Sequence, residues 1–383
     1  MFEDVIKFIR NDFEIPDKQI QLHAPIFVGN EKKYVLEAID STFVSSVGKF
    51  VDKFENDIRD YTGAKHAIAA VNGTAALHVA LQLAGVGAGD LVITQPLTFI
   101  ATCNAIKYTQ ASPVFIDIDK DTLGLSPNSL EKFLKNEADI KNGKLIHKAT
   151  GKKIAACVPM HTFGHPVHLD ELLNVCKQYN LPIVEDSAES LGSFYKGQHT
   201  GTMGLLGAFS FNGNKTITCG GGGVVVTNDS ELARLTKHLT TQAKKPHPWN
   251  FDHDHIGYNY RMPNINAALG CAQLEMLDTY LESKRQLAGR YKSFFEKQGI
   301  TFVGEPENCR SNFWLNAILL KDQKERDAFL VETNQQKIMT RPAWTLMNKL
   351  DMFSQDIAGD LTNAIFIEER LVNIPSSPRV LIR

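Results

Sequence analysis

The sequence contains no apolar run approaching the roughly 18 residues of a membrane span, so no spanning helix is expected. Neither charge is in excess: 41 Lys and Arg stand against 43 Asp and Glu, a formal net charge of -2. That balance argues against a bulk electrostatic grip on nucleic acid. There is no Cys-x-x-Cys and no His-Glu-x-x-His. The six cysteines (Cys103, Cys157, Cys176, Cys219, Cys271, Cys309) lie far apart, the pattern of reduced core thiols in a cytoplasmic protein. Internal repeats and low-complexity tracts are absent. The opening MFEDVIKFIRNDF is mixed-charge and amphipathic, unlike a secretory signal. What remains is 383 residues, 43% apolar and 22% charged, an ordinary globular composition. The length favours one large domain and one smaller one.

Strand and helix signals alternate along most of the chain. His66–Val71 is a short apolar strand, and Asn72-Gly73-Thr74 then opens a helix with Leu77, Ala80, Leu81 and Ala84 on one stripe. Strands follow at Leu91–Thr94, Val114–Ile118, Ile154–Pro159 and Pro182–Glu185, with helical patterns between them. This alternation predicts an α/β fold with a largely parallel sheet covered on both faces. The lysine-rich segment 138–153 reads as a protruding loop or hairpin, and the segment 241–263, rich in His, Pro and Asn, as a functional loop. A long helical pattern from Ile265 to Lys297, interrupted near Gly289, suits a bridge between domains. The expected division is 1–263 for the N-terminal segment and large domain, and 264–383 for the bridge and small domain.

The chain is organised around Gly207–Gly223, GAFSFNGNKTITCGGGG. A strand, a polar turn, one lysine and four glycines come in order. A P-loop would need Gly-x-x-x-x-Gly-Lys-[Ser/Thr], and the spacing fails because Asn214 separates Gly213 from Lys215. The alternatives are a lysine that forms a Schiff base with pyridoxal phosphate (PLP) and a solvated surface lysine. Three further elements give the first alternative weight. The helix start at Asn72-Gly73-Thr74 offers free backbone N–H groups, a helix dipole and a hydroxyl to an anion. Asp186 ends a strand, where open sheets place ligands; it could pair with a protonated ring nitrogen or cap a turn. Ser210 could reach a phosphate from the strand before Lys215.

NGTAALHVAL, TFIATCNA, HTFGHPVHLD, VEDSAESLGS, SFNGNKTITCGGGG and GYNYRM succeed one another in this chain. In order and spacing they resemble the DegT/DnrJ/StrS nucleotide-sugar aminotransferases, from about Pro25 to at least Pro375. The resemblance implies a fold-type I PLP architecture: a mostly parallel seven-stranded sheet flanked by helices, plus a small α/β C-terminal domain. It implies that Lys215 holds PLP covalently and that Asp186 holds the ring nitrogen. Glu189 would lie near the phenolic oxygen, Phe99 would stack on the ring, and Gly73, Thr74 and Ser210 would bind the phosphate. Asn259 would reach that phosphate from a second subunit, making a homodimer with shared active sites. Arg261 and Arg341 would contact the sugar nucleotide. L-glutamate would be the amino donor. FVSSVGKFVDKFE and RPAWTLMNKL look most like the subgroup acting on a UDP-linked 4-keto-6-deoxy-N-acetylhexosamine; a GDP- or dTDP-linked sugar is the alternative. Two departures stand out: Gly221 replaces an acid that many members carry, and Glu189 stands where others have His or Gln.

Three rival readings compete with this one. Dehydratases of the same fold carry His at the lysine position, so Lys215 argues against them. A non-catalytic regulator on this scaffold would not need both Lys215 and Asp186. His161, His165 and His168, and separately His247, His253 and His255, cluster in sequence like metal ligands, but Gly164 and Pro166 break any helix at the first group. The expectation is no metal, with His161 and His165 as loop histidines near an anionic substrate.

Overall fold

A computed structural model describes residues 2–380. Its main sheet has seven strands in the order His66–Ala70, Gly223–Thr227, Leu206–Ser210, Val184–Asp186, Ile154–Val158, Leu91–Thr94, Ser112–Phe115. Parallel bridges from Cys157 to Ile183 and from Met160 to Asp186 join its two halves. Of these strands only Gly223–Thr227 runs antiparallel to its neighbours. Ile154–Val158 and Gly223–Thr227 are buried along their whole length, as strands covered on both faces must be. This is the expected α/β architecture. The C-terminal region adds one further short strand, Ile357–Ala358, parallel to Ser112–Phe115.

The helix Gly73–Leu83 is buried continuously from Ala75 to Leu81. Its alanines allow close approach to the sheet, and Asn72 caps its start by accepting the Ala75 N–H at 2.8 Å. The segment 138–153 forms the hairpin Ala138–Lys141 and Lys144–His147. Asn142 (φ 50°) and Gly143 (φ 73°) make its turn, the pairing that two-residue hairpin turns require.

The long helical pattern breaks in a different place from the one expected. Asn264–Glu275 and Leu277–Lys297 meet at Met276, while Gly289 lies inside the second helix. One glycine costs a helix only about 1 kcal/mol, which the packing of Leu287, Ala288 and Tyr291 offsets. Beyond it, Thr301–Phe302, Asn316–Leu319, Leu371–Ile374 and Arg341–Pro342 form a small antiparallel sheet. The N-terminal helix Glu3–Phe13 belongs to this region spatially: Phe2, Val5 and Ile9 share a core with Leu287, Tyr291, Phe295 and Phe329. Chain order alone groups it with the large domain. No helix among the described residues is long and apolar enough to cross a membrane.

Candidate active site

The site begins with a backbone fit. Gly73 lies so close to Ser210 that a Cβ on it would stand 2.6 Å from the Ser210 Cβ. The bare glycine therefore brings the first turn of its helix against the end of the strand Leu206–Ser210. Apart from the Ala75 N–H, which Asn72 takes, the first amides of that turn have no helical acceptors, and they open beside the Thr74 and Ser210 side chains on a cavity of about 340 Å³. The result is an anion cradle.

Asp186 stands across the same cavity, only 4% exposed. Its Oδ2 accepts from Thr102 Oγ1 at 2.7 Å and its Oδ1 from the Ala188 N–H at 3.2 Å. Burial raises its pKa, and the Thr102 and Ala188 hydrogen bonds only partly oppose that rise. A cation brought against this carboxylate would relieve the cost of its burial.

Lys215 follows the strand Leu206–Ser210, and its Nζ reaches Glu189 Oε1 at 3.3 Å. The same nitrogen lies 4.1 Å from the centre of the Trp314 ring. Trp314 is held by its Nε1, which donates to the Asn214 carbonyl at 2.7 Å. Behind it the fully buried Lys284 donates to the Trp314 and Ser376 carbonyls. Glu189 Oε2 accepts the Phe163 N–H at 2.9 Å, which fixes Phe163 in a left-handed conformation (φ 56°). Burial pushes the Glu189 carboxyl up to about 7, against the pull of the Lys215 ammonium. A neutral carboxyl at this position can face a phenolic oxygen without repulsion.

Phe99 and Trp344 close the cavity rim. Their rings meet edge to face at 6.2 Å, and Phe99 remains 48% exposed, free to cover a planar ligand.

A family model, the DegT/DnrJ/EryC1/StrS aminotransferase family, matches residues 26–381. The chain belongs to this family. It is 38% identical over 366 residues to a GDP-perosamine synthase of Escherichia coli O157:H7, with 94% of each chain covered. It is 35% identical to the UDP-4-amino-4,6-dideoxy-N-acetyl-beta-L-altrosamine transaminase of Campylobacter jejuni, over 74% of this chain and 68% of that one. Among solved structures, Helicobacter pylori PseC, an aminotransferase involved in the biosynthesis of pseudoaminic acid, superposes with a TM-score of 0.84 at 25% identity, covering 94% of both chains. The chain is thus a PLP-dependent sugar-nucleotide aminotransferase.

The residues present fit PLP. The cradle at Gly73, Thr74 and Ser210 suits a phosphate, Asp186 suits a ring N–H⁺, Lys215 offers an amine for the aldehyde, and Phe99 offers a face for the ring. All of these, and Glu189, line one cavity, as the family resemblance implies.

The substrate-side expectations fare differently. His161 and His165 do not line the cavity. His161 is fully buried, with Nε2 3.0 Å from Glu185 Oε2. Burial alone would raise the Glu185 pKa, but bonds from His161 and the Gly201 and Gly204 amides more than offset it and hold it low. The pair ties strand to loop, so His161 is a core residue. His165 packs edge-on to Phe313, and its two ring nitrogens have no partner among the described residues. Burial pushes it down to about 4, leaving a neutral ring. The glycine and proline around these histidines bend the chain into the core rather than into a substrate loop. Arg261 lines a separate cavity with Lys237 and Asp52. Arg341 is exposed, donating to Asn334 Oδ1 and the Thr340 carbonyl. Asn259 is exposed in the 241–263 loop.

Two contributors escaped the sequence reading as site residues: Thr102 and Trp314. Thr102 stands three residues after Phe99, one helical turn along, and that spacing is the signal that could have found it. Trp314 comes from the small domain, and no local pattern ties it to Lys215.

Proposed function

We propose that this aminotransferase moves an amino group from L-glutamate to C4 of a nucleotide-linked 4-keto-6-deoxy sugar, for surface-glycan or nonulosonic-acid biosynthesis. The observation that carries the reading is the convergence of the Lys215 amine, the buried Asp186 carboxylate and one anion cradle in a single cavity. PLP, when bound, supplies an aldehyde that carries the amino group and a ring that takes up the electron pair released at carbon. The Lys215 amine takes the proton from the donor's α-carbon and, in the second half-reaction, delivers a proton to C4 of the sugar. Asp186 keeps the ring nitrogen protonated. Glu189 in its neutral form donates a hydrogen bond to the phenolic oxygen. Trp314 confines the Lys215 amine to the cavity, and Phe99 and Trp344 exclude water from above.

A relative named for a 4-amino-4,6-dideoxy sugar supports amination at C4. Two nucleotides compete. The FVSSVGKFVDKFE and RPAWTLMNKL segments, together with that relative, favour a UDP-linked N-acetylhexosamine. Three relatives of 33–38% identity across at least 93% of their length are named GDP-perosamine synthases, which favours GDP. A panel of UDP-, GDP- and dTDP-linked 4-keto-6-deoxy sugars, incubated with L-glutamate and PLP and read by product mass, separates them. Conversion of none of the panel overturns the proposal.

The working form in this reading is a homodimer. Phe27, Leu36, Ile39, Phe43, Val44 and Val47 are all at least 43% exposed, and Trp249, Phe251 and Ile256 at least 75%. Apolar surface on that scale marks an interaction face. Pairing would bring the exposed Asn259, and Arg261 beside it, toward the neighbouring cavity, with Arg341 at the sugar-nucleotide entrance. The six free cysteines accord with a cytoplasmic location.

A further inference from the structure

The histidines that cluster in sequence separate in the fold. His247 Nδ1 accepts the backbone N–H groups of Trp249 and Asn250, and His253 Nδ1 faces the Gln242 carbonyl. His255 turns elsewhere. It meets His238, which lies in the last turn of the helix Ser230–Thr240, and Asp254 stands between the two rings. Asp254 Oδ1 is 2.6 Å from His238 Nε2 and 3.0 Å from His255 Nδ1. The imidazole planes are nearly perpendicular, at 85°, with centres 6.0 Å apart. All three donor atoms lie within 4.8 Å of one another.

We propose that His238 Nε2, His255 Nδ1 and Asp254 Oδ1 form a site for one divalent transition-metal ion of the zinc type, which staples the 241–263 loop to the end of the helix. Zinc holds nitrogen and carboxylate donors at about 2.0–2.2 Å in a tetrahedron, so its donors stand roughly 3.3 Å apart. The two spacings from Asp254 need to open by less than about 1 Å to reach this, and the two imidazole nitrogens already lie within 4.8 Å of each other. Two imidazoles and one carboxylate suit zinc, nickel or copper; calcium and magnesium take shells of oxygen. His255 is 62% exposed on its side chain, which leaves a fourth position for water. None of the three residues lines the Lys215 cavity, so the ion is structural. Arg234, a cation that feels the Asp254 charge, is paired with Glu231 through Nε at 2.9 Å and Nη2 at 2.6 Å. The loop so fixed carries Asn259 and Arg261. Its effect on those residues rests on the dimer reading above; the metal site does not.

The competing arrangement is a carboxylate that merely accepts from two imidazole N–H groups, with no ion. Untagged, PLP-loaded protein titrated with Zn²⁺ by calorimetry and by dialysis with metal analysis distinguishes the two. The expected result is one bound ion per chain and slower tryptic cleavage after Lys244. His238→Ala and His255→Ala should each weaken binding by about tenfold or more, and His247→Ala should leave it unchanged. His255 is exposed, so its variant keeps the test valid should the His238 variant fold poorly. Absence of stoichiometric binding, or binding indifferent to both ligand substitutions, overturns the site. Amino transfer is not read in this experiment, so its outcome is independent of the proposed reaction.

Discussion

Asp186 and Arg341 are both charged residues tied to the site by motif, and they occupy opposite environments. Asp186 is 4% exposed and held by a hydroxyl and an amide. Arg341 is exposed on a two-residue edge strand, bonded to Asn334 and to its own neighbour's carbonyl. The same contrast separates the cavity floor from its rim. The floor is built by strand ends and one helix start of a single rigid sheet, so its groups are oriented before any ligand arrives. The rim draws on the small domain through Trp344, and the polar groups of Arg341 beyond it are satisfied by local contacts. Preorganisation of this kind is worth most where charge develops in the reaction, so floor substitutions should strike turnover and rim substitutions affinity.

The largest effect is expected at the floor. Lys215→Ala should abolish turnover and borohydride-stable attachment of PLP while leaving the fold intact by circular dichroism. Measurable turnover in that variant would erase the distinction between floor and rim. Glu189→Gln tests the floor electrostatically. The folded carboxyl, raised from 4.5 to about 7, binds its proton more tightly than the unfolded chain does. Its contribution to stability is therefore complete below about pH 4.5 and lost as the pH rises through about 7, a change of about 3 kcal/mol. Denaturant unfolding of cofactor-free protein should show the glutamine variant gaining on the parent between pH 5 and pH 8. A gap that does not change with pH would refute the buried, raised carboxyl.

A smaller effect separates two glycines. Gly73→Ala would place a Cβ 2.6 Å from that of Ser210, whereas at Gly221 the nearest atom is the Val71 carbonyl oxygen at 4.0 Å. The first substitution should cost roughly 1–3 kcal/mol and weaken PLP binding, measured by equilibrium dialysis. The second should leave both unchanged. The smallest effect belongs to the rim: Arg341→Ala should raise the KM for the sugar nucleotide by about tenfold with kcat nearly unchanged, the mark of lost uniform binding. A fall in kcat instead would move Arg341 into the floor class.

The sequence alone was enough to establish the alternating strands and helices and the parallel sheet, and to name the floor residues that the fold gathers round one cavity. Each floor residue sits where a strand gives way to a turn or a helix, and that junction leaves a local mark: a cap, a glycine, a lone lysine. Only the tertiary structure decided the rest. It sent His161 and His165 into the core, because a buried partner (Glu185) and an aromatic neighbour (Phe313) attract them more than a distant anion could. It brought Trp314 across from the small domain to cover Lys215, and paired His238 with His255 across 16 intervening residues. Such contacts join segments remote in the chain, and remote contacts leave no periodicity or spacing for a linear reading to find.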